Sequence, residues 1–189
     1  HFYPRRLRGS TVSCRMTVMT HRSPLQDEHV ARGATFERVK TWDLPATYGD
    51  VSSEYASIRQ KTGLLDRSHW GVIEATGRDR AKFLHALVSN DIVSRQTGEG
   101  CRAAFLDKYL FAEKVSFQDV TPELTLLFLA GPESPQLTQA VFGSAPGDRP
   151  WSSMTIEREG APVRLTRGDG ETGEAEFWAF LPREQGLAV

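Results

Sequence analysis

Glu54-Tyr-Ala-Ser-Ile-Arg59-Gln-Lys-Thr-Gly63-Leu-Leu-Asp66-Arg-Ser68-His69-Trp70-Gly71 is the stretch on which the fold turns. Its first half reads as a helix. Asp50, just upstream, is placed to cap the first turn, and Val51, Tyr55 and Ile58 recur at i, i+4, i+7 on one face. Gly63 suits the position just past a helix end, where left-handed backbone is wanted. Residues 71–76 alternate and predict a half-buried strand.

Working outward, Asp79 is the expected cap of a second helix. Its apolar stripe is Ala81, Leu84, Leu87 and Val88, and it ends near Asn90-Asp91. Gly98 and Gly100 predict a turn before a short strand over 102–106. Residues 114–120 and 124–130 are the next strands; the second is almost all apolar, which predicts cover on both faces. Ser134 is the expected cap of a further helix that carries Pro135 at its start. Residues 143–150 form a loop, and strands follow near 153–158, 162–166 and 175–181, the first two joined through Gly160. Strands and helices without a regular βαβ rhythm argue α+β, with mixed antiparallel sheets and packed helices.

The 189 residues carry a formal net charge of −1, and 39% are hydrophobic. That is ordinary globular composition and gives no net field for nucleic acid or an anionic membrane. The charge is uneven. Residues 1–26 hold Arg5, Arg6, Arg8, Arg15 and Arg22, six Ser or Thr and no acid, which leaves 18 basic and 24 acidic groups, net −6, on the rest. An Arg-rich, hydroxyl-rich, acid-free head is how an organelle transit peptide reads, and a basic disordered tail is the alternative. The chain begins at His1 rather than Met, so the expectation is that the original N-terminus lies upstream or has been processed. Cys14 and Cys101 form no disulfide framework.

Several motifs dissolve on inspection. Gly168-Asp-Gly170-Glu-Thr-Gly173 spells G-x-G-x-x-G, but a strand rather than a helix follows. Asp169, Glu171 and Glu174 would also repel phosphate, so a loop between strands is expected. The five histidines have no metal-ligand spacing, and no metal is expected. Basic residues beyond position 30 are interspersed with acids, which argues against nucleic acid. No apolar run approaches the roughly 18 residues of a membrane span, and no membrane association is expected.

From His29 onward the sequence resembles the folate-binding superfamily of the glycine-cleavage T-protein, an aminomethyltransferase. The residues that carry this are His29-Val-Ala-Arg-Gly-Ala-Thr-Phe, Trp42, Pro45, Tyr48-Gly49 and the long stretch quoted above. Thr76-Gly77, Phe83-Leu84-His85, Asn90-Asp91, Gly98 and Gly100 continue it. The spelling Asp66-Arg-Ser-His-Trp-Gly is similar to cyanobacterial and plastid YgfZ-type proteins, where T-proteins have Asp-Val-Ser-His-Met-Gly. The resemblance implies an incomplete T-protein/YgfZ-like folate-binding fold: a leader over 1–26, a first subdomain over 27–107 and a second, shortened one over 108–189. It implies tetrahydrofolate as cofactor. Trp70 stands where the T-protein has a cavity-lining methionine, and its indole suits stacking on a pterin or aminobenzoyl ring. Trp70 and Asn90 are the expected folate-binding residues. For Trp70 the alternative is core packing, and for Asn90 it is a helix-ending role.

The sequence also departs from the family's pattern. A few dozen residues that include the T-protein's essential acid are expected to be missing between Asp107 and Lys108. Gly170-Glu-Thr-Gly173-Glu-Ala-Glu-Phe-Trp178 is similar to Gly-Tyr-Thr-Gly-Glu-x-Gly-Tyr-Glu, with Trp178 in place of the pterin-anchoring glutamate. An indole N–H only donates and cannot replace that carboxylate. The YgfZ-type Lys-Gly-Cys-Tyr-x-Gly-Gln-Glu motif does not occur. No catalytic residue is assigned on these grounds. The expectation is an accessory folate-binding protein in iron–sulfur cluster assembly or repair, partnered by folate and iron–sulfur client proteins, in a chloroplast rather than a mitochondrion. The alternatives are a tetrahydrofolate-dependent aminomethyltransferase, with Glu113 the nearest acid by position, and a non-functional fragment.

Overall fold

The apolar run at 124–130 becomes an interior strand because both of its faces are covered. In this computed structural model, residues 20–106 and 114–187 are described. The elements in order are β1 (His21–Arg22), α1 (Gln26–Ala31), β2 (Thr35–Val39), β3 (Trp42–Thr47), α2 (Val51–Gln60) and β4 (Gly63–Asp66). They continue with β5 (Ile73–Thr76), α3 (Arg80–Leu87), β6 (Ser116–Asp119), β7 (Leu124–Ala130), α4 (Ser134–Phe142), β8 (Ser153–Arg158), β9 (Ala161–Arg167) and β10 (Glu176–Pro182).

The main sheet has the order β4-β7-β10-β9-β8, antiparallel throughout. Successive side chains of β7 point to opposite faces. Leu127 joins Leu25, Phe142, Val163, Leu165, Ala179 and Leu181 on one face. Leu126, Phe128 and Ala130 join Trp178 on the other, where Ile58, Leu65, Val72 and Phe180 pack against them. The remaining strands form a three-stranded sheet, β1-β3-β2, and a two-stranded pair, β5-β6. Strand pairing therefore crosses residues 107–108: β4 bonds to β7, and β5 to β6.

The structure corrects several expectations. Residues 20–26, within the span expected for a leader, pack into the fold: β1 pairs with β3, Ser23 is buried, and Leu25 lies in the core at 8% exposure. Residues 1–19, with Cys14, lie outside the described residues, as do 107–113, with the expected junction at Asp107-Lys108 and Glu113. Asp50 does cap α2, accepting from the Ser52 and Ser53 N–H groups. The predicted apolar face of α2, however, is mostly solvent-facing, with Val51 and Tyr55 about two-thirds exposed. Only the last turn, through Ile58, reaches the core.

Gly63 is not a helix-end residue, because α2 stops at Gln60 and Gly63 opens β4. A Cβ there would meet Ile58 Cγ1 at 2.3 Å, so the glycine serves the close approach of α2 to the sheet. The expected strand at 102–106 reduces to one bridge, Val88 to Phe105. Ser89 Oγ takes the Ala104 N–H that a ladder would need. Ser134 is the first residue of α4 rather than its cap, and its hydroxyl donates to the Ala175 carbonyl at 2.7 Å. Asp79 accepts from Lys114 N–H, tying the start of α3 to the segment before β6 instead of capping its own helix.

Candidate functional site

The turn after β4 is fastened to β7 by its own sequence. Arg67 N–H donates to the Leu126 carbonyl at 2.8 Å, and Leu126 N–H donates back to Ser68 Oγ at 3.1 Å. Asp66 Oδ1 accepts Ser68 N–H, and Trp70 N–H closes the turn on the Arg67 carbonyl. Sheet register then sets what the turn meets. Leu65 lies opposite Phe128, and Phe128 opposite Trp178, across β4, β7 and β10. Trp178 is 7% exposed and packs on Phe128, centroids 4.5 Å apart. Trp70 is 45% exposed and leans on Trp178, 5.0 Å away at 42°. The Arg67 guanidinium lies 5.6 Å from the Trp70 ring and 5.8 Å from Phe128, within cation–π range.

A second constellation sits behind this turn. Asp66 Oδ2 accepts from His29 Nε2 at 2.8 Å and from the Ser23 hydroxyl, and His29 Nδ1 meets the Tyr48 hydroxyl at 2.6 Å. The Asp66 and His29 side chains are 3% and 7% exposed. Burial alone would raise the Asp66 pKa; the hydrogen bonds from His29, Ser23 and Ser68 outweigh it and hold the carboxyl below its usual range. Burial, and then the Asp66 charge, push the Tyr48 phenol up. His69, beside the turn, is pushed down by burial and then by the Arg67 charge. This cluster joins α1, the end of β3 and the end of β4, and it holds the small sheet on the large one.

A cleft of about 470 Å³ opens between 44–48, α2 and 62–69; Thr62, Asp66, Arg67 and His69 line it. Another, of about 360 Å³, lies across Asp66 and His29 and includes Arg32 and Leu187. Trp70 and Asn90 line neither. Trp70 stands at the surface beside the aromatic row. Asn90 spends its amide on the Arg102 carbonyl at 2.9 Å, and its Oδ1 accepts Asp91 N–H. It organises the loop after α3, and no hydrogen bond links it to Trp70.

The glycine-rich loop at 168–173 is the expected strand connection. Its N–H groups turn inward to the buried Glu176 carboxylate, which accepts from Gly170 and Thr172. Asp169 and Glu171 face Arg102, and Glu174 faces Arg59. Among the described residues no three His, Cys, Asp or Glu side chains gather as a metal site, and no helix is long and apolar enough to cross a membrane. Sequence reasoning missed the Asp66–His29–Tyr48 cluster and the meeting of Trp70 with Trp178. All five residues lay in the stretches that carried the resemblance, but only the sheet register brings them together.

The aminomethyltransferase T of the Bartonella henselae glycine cleavage system superposes with a TM-score of 0.77 at 21% identity, over 89% of this chain and 55% of that one. Residues 25–109 match the GCVT N-terminal domain. A probable aminomethyltransferase of Halobacterium salinarum is 34% identical over 209 residues, covering 88% of this chain and 57% of the relative. An aminomethyltransferase of Bordetella pertussis is 28% identical over 179 residues, 90% of this chain and 46% of the relative. The chain thus spans about half the length of these relatives. Together the domain match and the relatives support the T-protein superfamily for this chain, and the fold is α+β of the T-protein type.

Proposed function

We propose that this chain belongs to a tetrahydrofolate-dependent protein of the aminomethyltransferase type, and that its own contribution is a folate-binding surface. The observation that carries this is the meeting of Trp70 and Trp178. They come from the two separate stretches in which the resemblance implies folate contacts, and they stand 5.0 Å apart. Trp178 is fixed between the sheet and Trp70, while Trp70 keeps part of its ring open to a ligand. Flat heteroaromatic ligands are held by such walls plus a few polar groups. The aromatic surface fits the ring portion of folate; position 178 offers no acceptor for the pterin's donor hydrogens. Asn90 has a place in this reading only if the loop after α3 releases its amide.

Tetrahydrofolate, when bound, would supply the nitrogen that accepts the one-carbon unit. Quenching of tryptophan fluorescence by tetrahydrofolate tests binding; saturable quenching supports the reading, and none up to millimolar ligand contradicts it. Turnover with an aminomethyl-loaded carrier tests the transferase activity.

A second reading, a YgfZ-type accessory folate binder in iron–sulfur maturation in a plastid, is favoured by one observation. Trp178, where a T-protein has a carboxylate, is built into the aromatic core and cannot be exchanged for an acid without burying a charge. Folate binding without aminomethyl transfer, together with loss of iron–sulfur enzyme activity on depletion, would support it over the first. Retained transfer activity would rule it out.

A further inference from the structure

We propose that Arg67 is the anion-recognition residue of this surface and takes the carboxylate end of an aromatic ligand, an inference that rests on the folate reading above. A guanidinium is charged at any working pH and calls for a partner when it is withdrawn from water. Arg32, Arg38, Arg59, Arg102 and Arg149 each face a carboxylate within ion-pair distance. Arg67 is half-buried, has no such partner among the described residues, and leaves its Nε buried without an acceptor. The adjacent carboxylate, Asp66, is fully spent on Ser23, His29 and Ser68.

Two other polar atoms nearby are in the same condition. Thr62 Oγ1 and His69 Nδ1 are also buried and unpartnered. Thr62, Arg67 and His69 all line the cleft of about 470 Å³ between 44–48, α2 and β4. That volume lies in the range of small-molecule sites, roughly 300–1,000 Å³. Thr62 Oγ1 can donate, and His69 Nδ1 donates as the Nδ1–H tautomer; with the Arg67 cation beside them, and with Glu54 and Asp66 of the same cleft already engaged by Thr47, Tyr48, Ser23, His29 and Ser68, the set suits an anionic group with several acceptor oxygens. The Arg67 guanidinium is also held against Trp70 and Phe128, so the anion site adjoins the aromatic surface. A carboxylate joined to a flat ring matches both halves, as in the aminobenzoyl-glutamate arm of folate. Arginine offers a two-pronged fork for such a carboxylate, which lysine does not.

The test is calorimetric titration of the whole chain with 5-formyltetrahydrofolate, with a reduced pterin lacking the benzoyl-glutamate arm, and with p-aminobenzoyl-glutamate. Wild type, Arg67→Gln and Arg67→Lys are compared. The expected result is a Kd for the folate raised about tenfold or more by Arg67→Gln and partly restored by Arg67→Lys, as for a lost charge-assisted pair. Pterin binding should stay within about twofold. A folate Kd unchanged in Arg67→Gln, or a pterin Kd raised as much as the folate's, overturns the proposal while leaving the folate reading standing. Arg67-dependent binding of p-aminobenzoyl-glutamate without any binding of folate or pterin sinks the folate reading and keeps the anion site. Absence of binding by all three in wild type overturns both. Should Arg67→Gln fail to fold, Arg67→Lys alone decides, and an unchanged folate Kd in it counts against the proposal.

Discussion

Trp70 rests its ring on Trp178 at 5.0 Å, yet the two indoles live in different environments, one 45% and the other 7% exposed. Trp178 is the fixed member, set on β10 opposite Phe128 of β7. Trp70 is the presented member, carried on a turn that Arg67 and Ser68 bolt to the Leu126 backbone. A rigid wall with a partly free ring on top is the arrangement an aromatic ligand requires, because little ordering remains to be done on binding.

The two tryptophans should separate in stability. Trp178→Ala removes a large side chain from a packed cluster and should cost about 3–5 kcal/mol. Trp70→Ala should cost about 1 kcal/mol, the scale of one aromatic pair. Urea unfolding of both variants reads the difference; equal losses would mean that Trp70 is a core residue.

Asp66→Asn should destabilise the fold by about 2–3 kcal/mol at neutral pH, since His29 and Ser23 lose a buried carboxylate. The Asp66 carboxyl titrates lower in the folded chain than its usual 3.8. Its stabilisation is therefore complete above that value and is lost as pH falls through the lower, folded one. Wild-type and variant stabilities should stay apart at pH 7, begin to approach each other below about pH 4 and converge only below the lower, folded value. His69, pushed down, adds to the acid side: it resists protonation when folded, so stability also declines as pH drops below about 6.5.

Gly131, at φ 131°, ends β7 where α2 and the sheet meet. A Cβ there would stand 2.3 Å from the Lys61 carbonyl oxygen and 2.7 Å from that of Ile58. Gly131→Ala should cost on the order of 2–3 kcal/mol through backbone strain. A thermal melt within a degree of wild type would contradict this.

Glu176→Gln tests the glycine-rich loop. An amide keeps one acceptor where the carboxylate serves Gly170 and Thr172 with two. The loss should be about 1–2 kcal/mol, with faster hydrogen exchange at those two amides. Unchanged exchange would show that Glu176 does not hold the loop.

Much of the second half was legible because periodicity decides structure where burial is strong. Residues 124–130 carried their buried character openly, and β8, β9 and β10 fell within a residue or two of the expected spans. The first half was less legible for the opposite reason. β2 and β3 are mostly exposed or half-exposed, Pro45 lies inside the second, and α1 has six residues with only His29 buried. Val51 and Tyr55 mimic a core face at the end of α2 that does not reach the core. For the site, Trp70 and Trp178 were each visible through a motif, whereas their meeting was not. Residue 178 lies far along the chain, and only the pairing of Leu65, Phe128 and Trp178 across three strands makes them neighbours. The His29–Asp66 pair, 37 residues apart, is hidden in the same way.

Calorimetric titration of tetrahydrofolate into wild type and Trp70→Ala bears most directly on the aromatic surface. Saturable binding to wild type, weakened about tenfold or more in the variant while its unfolding stays cooperative, is the predicted result. An identical dissociation constant in both proteins, or no heat of binding to wild type at millimolar ligand, would contradict it.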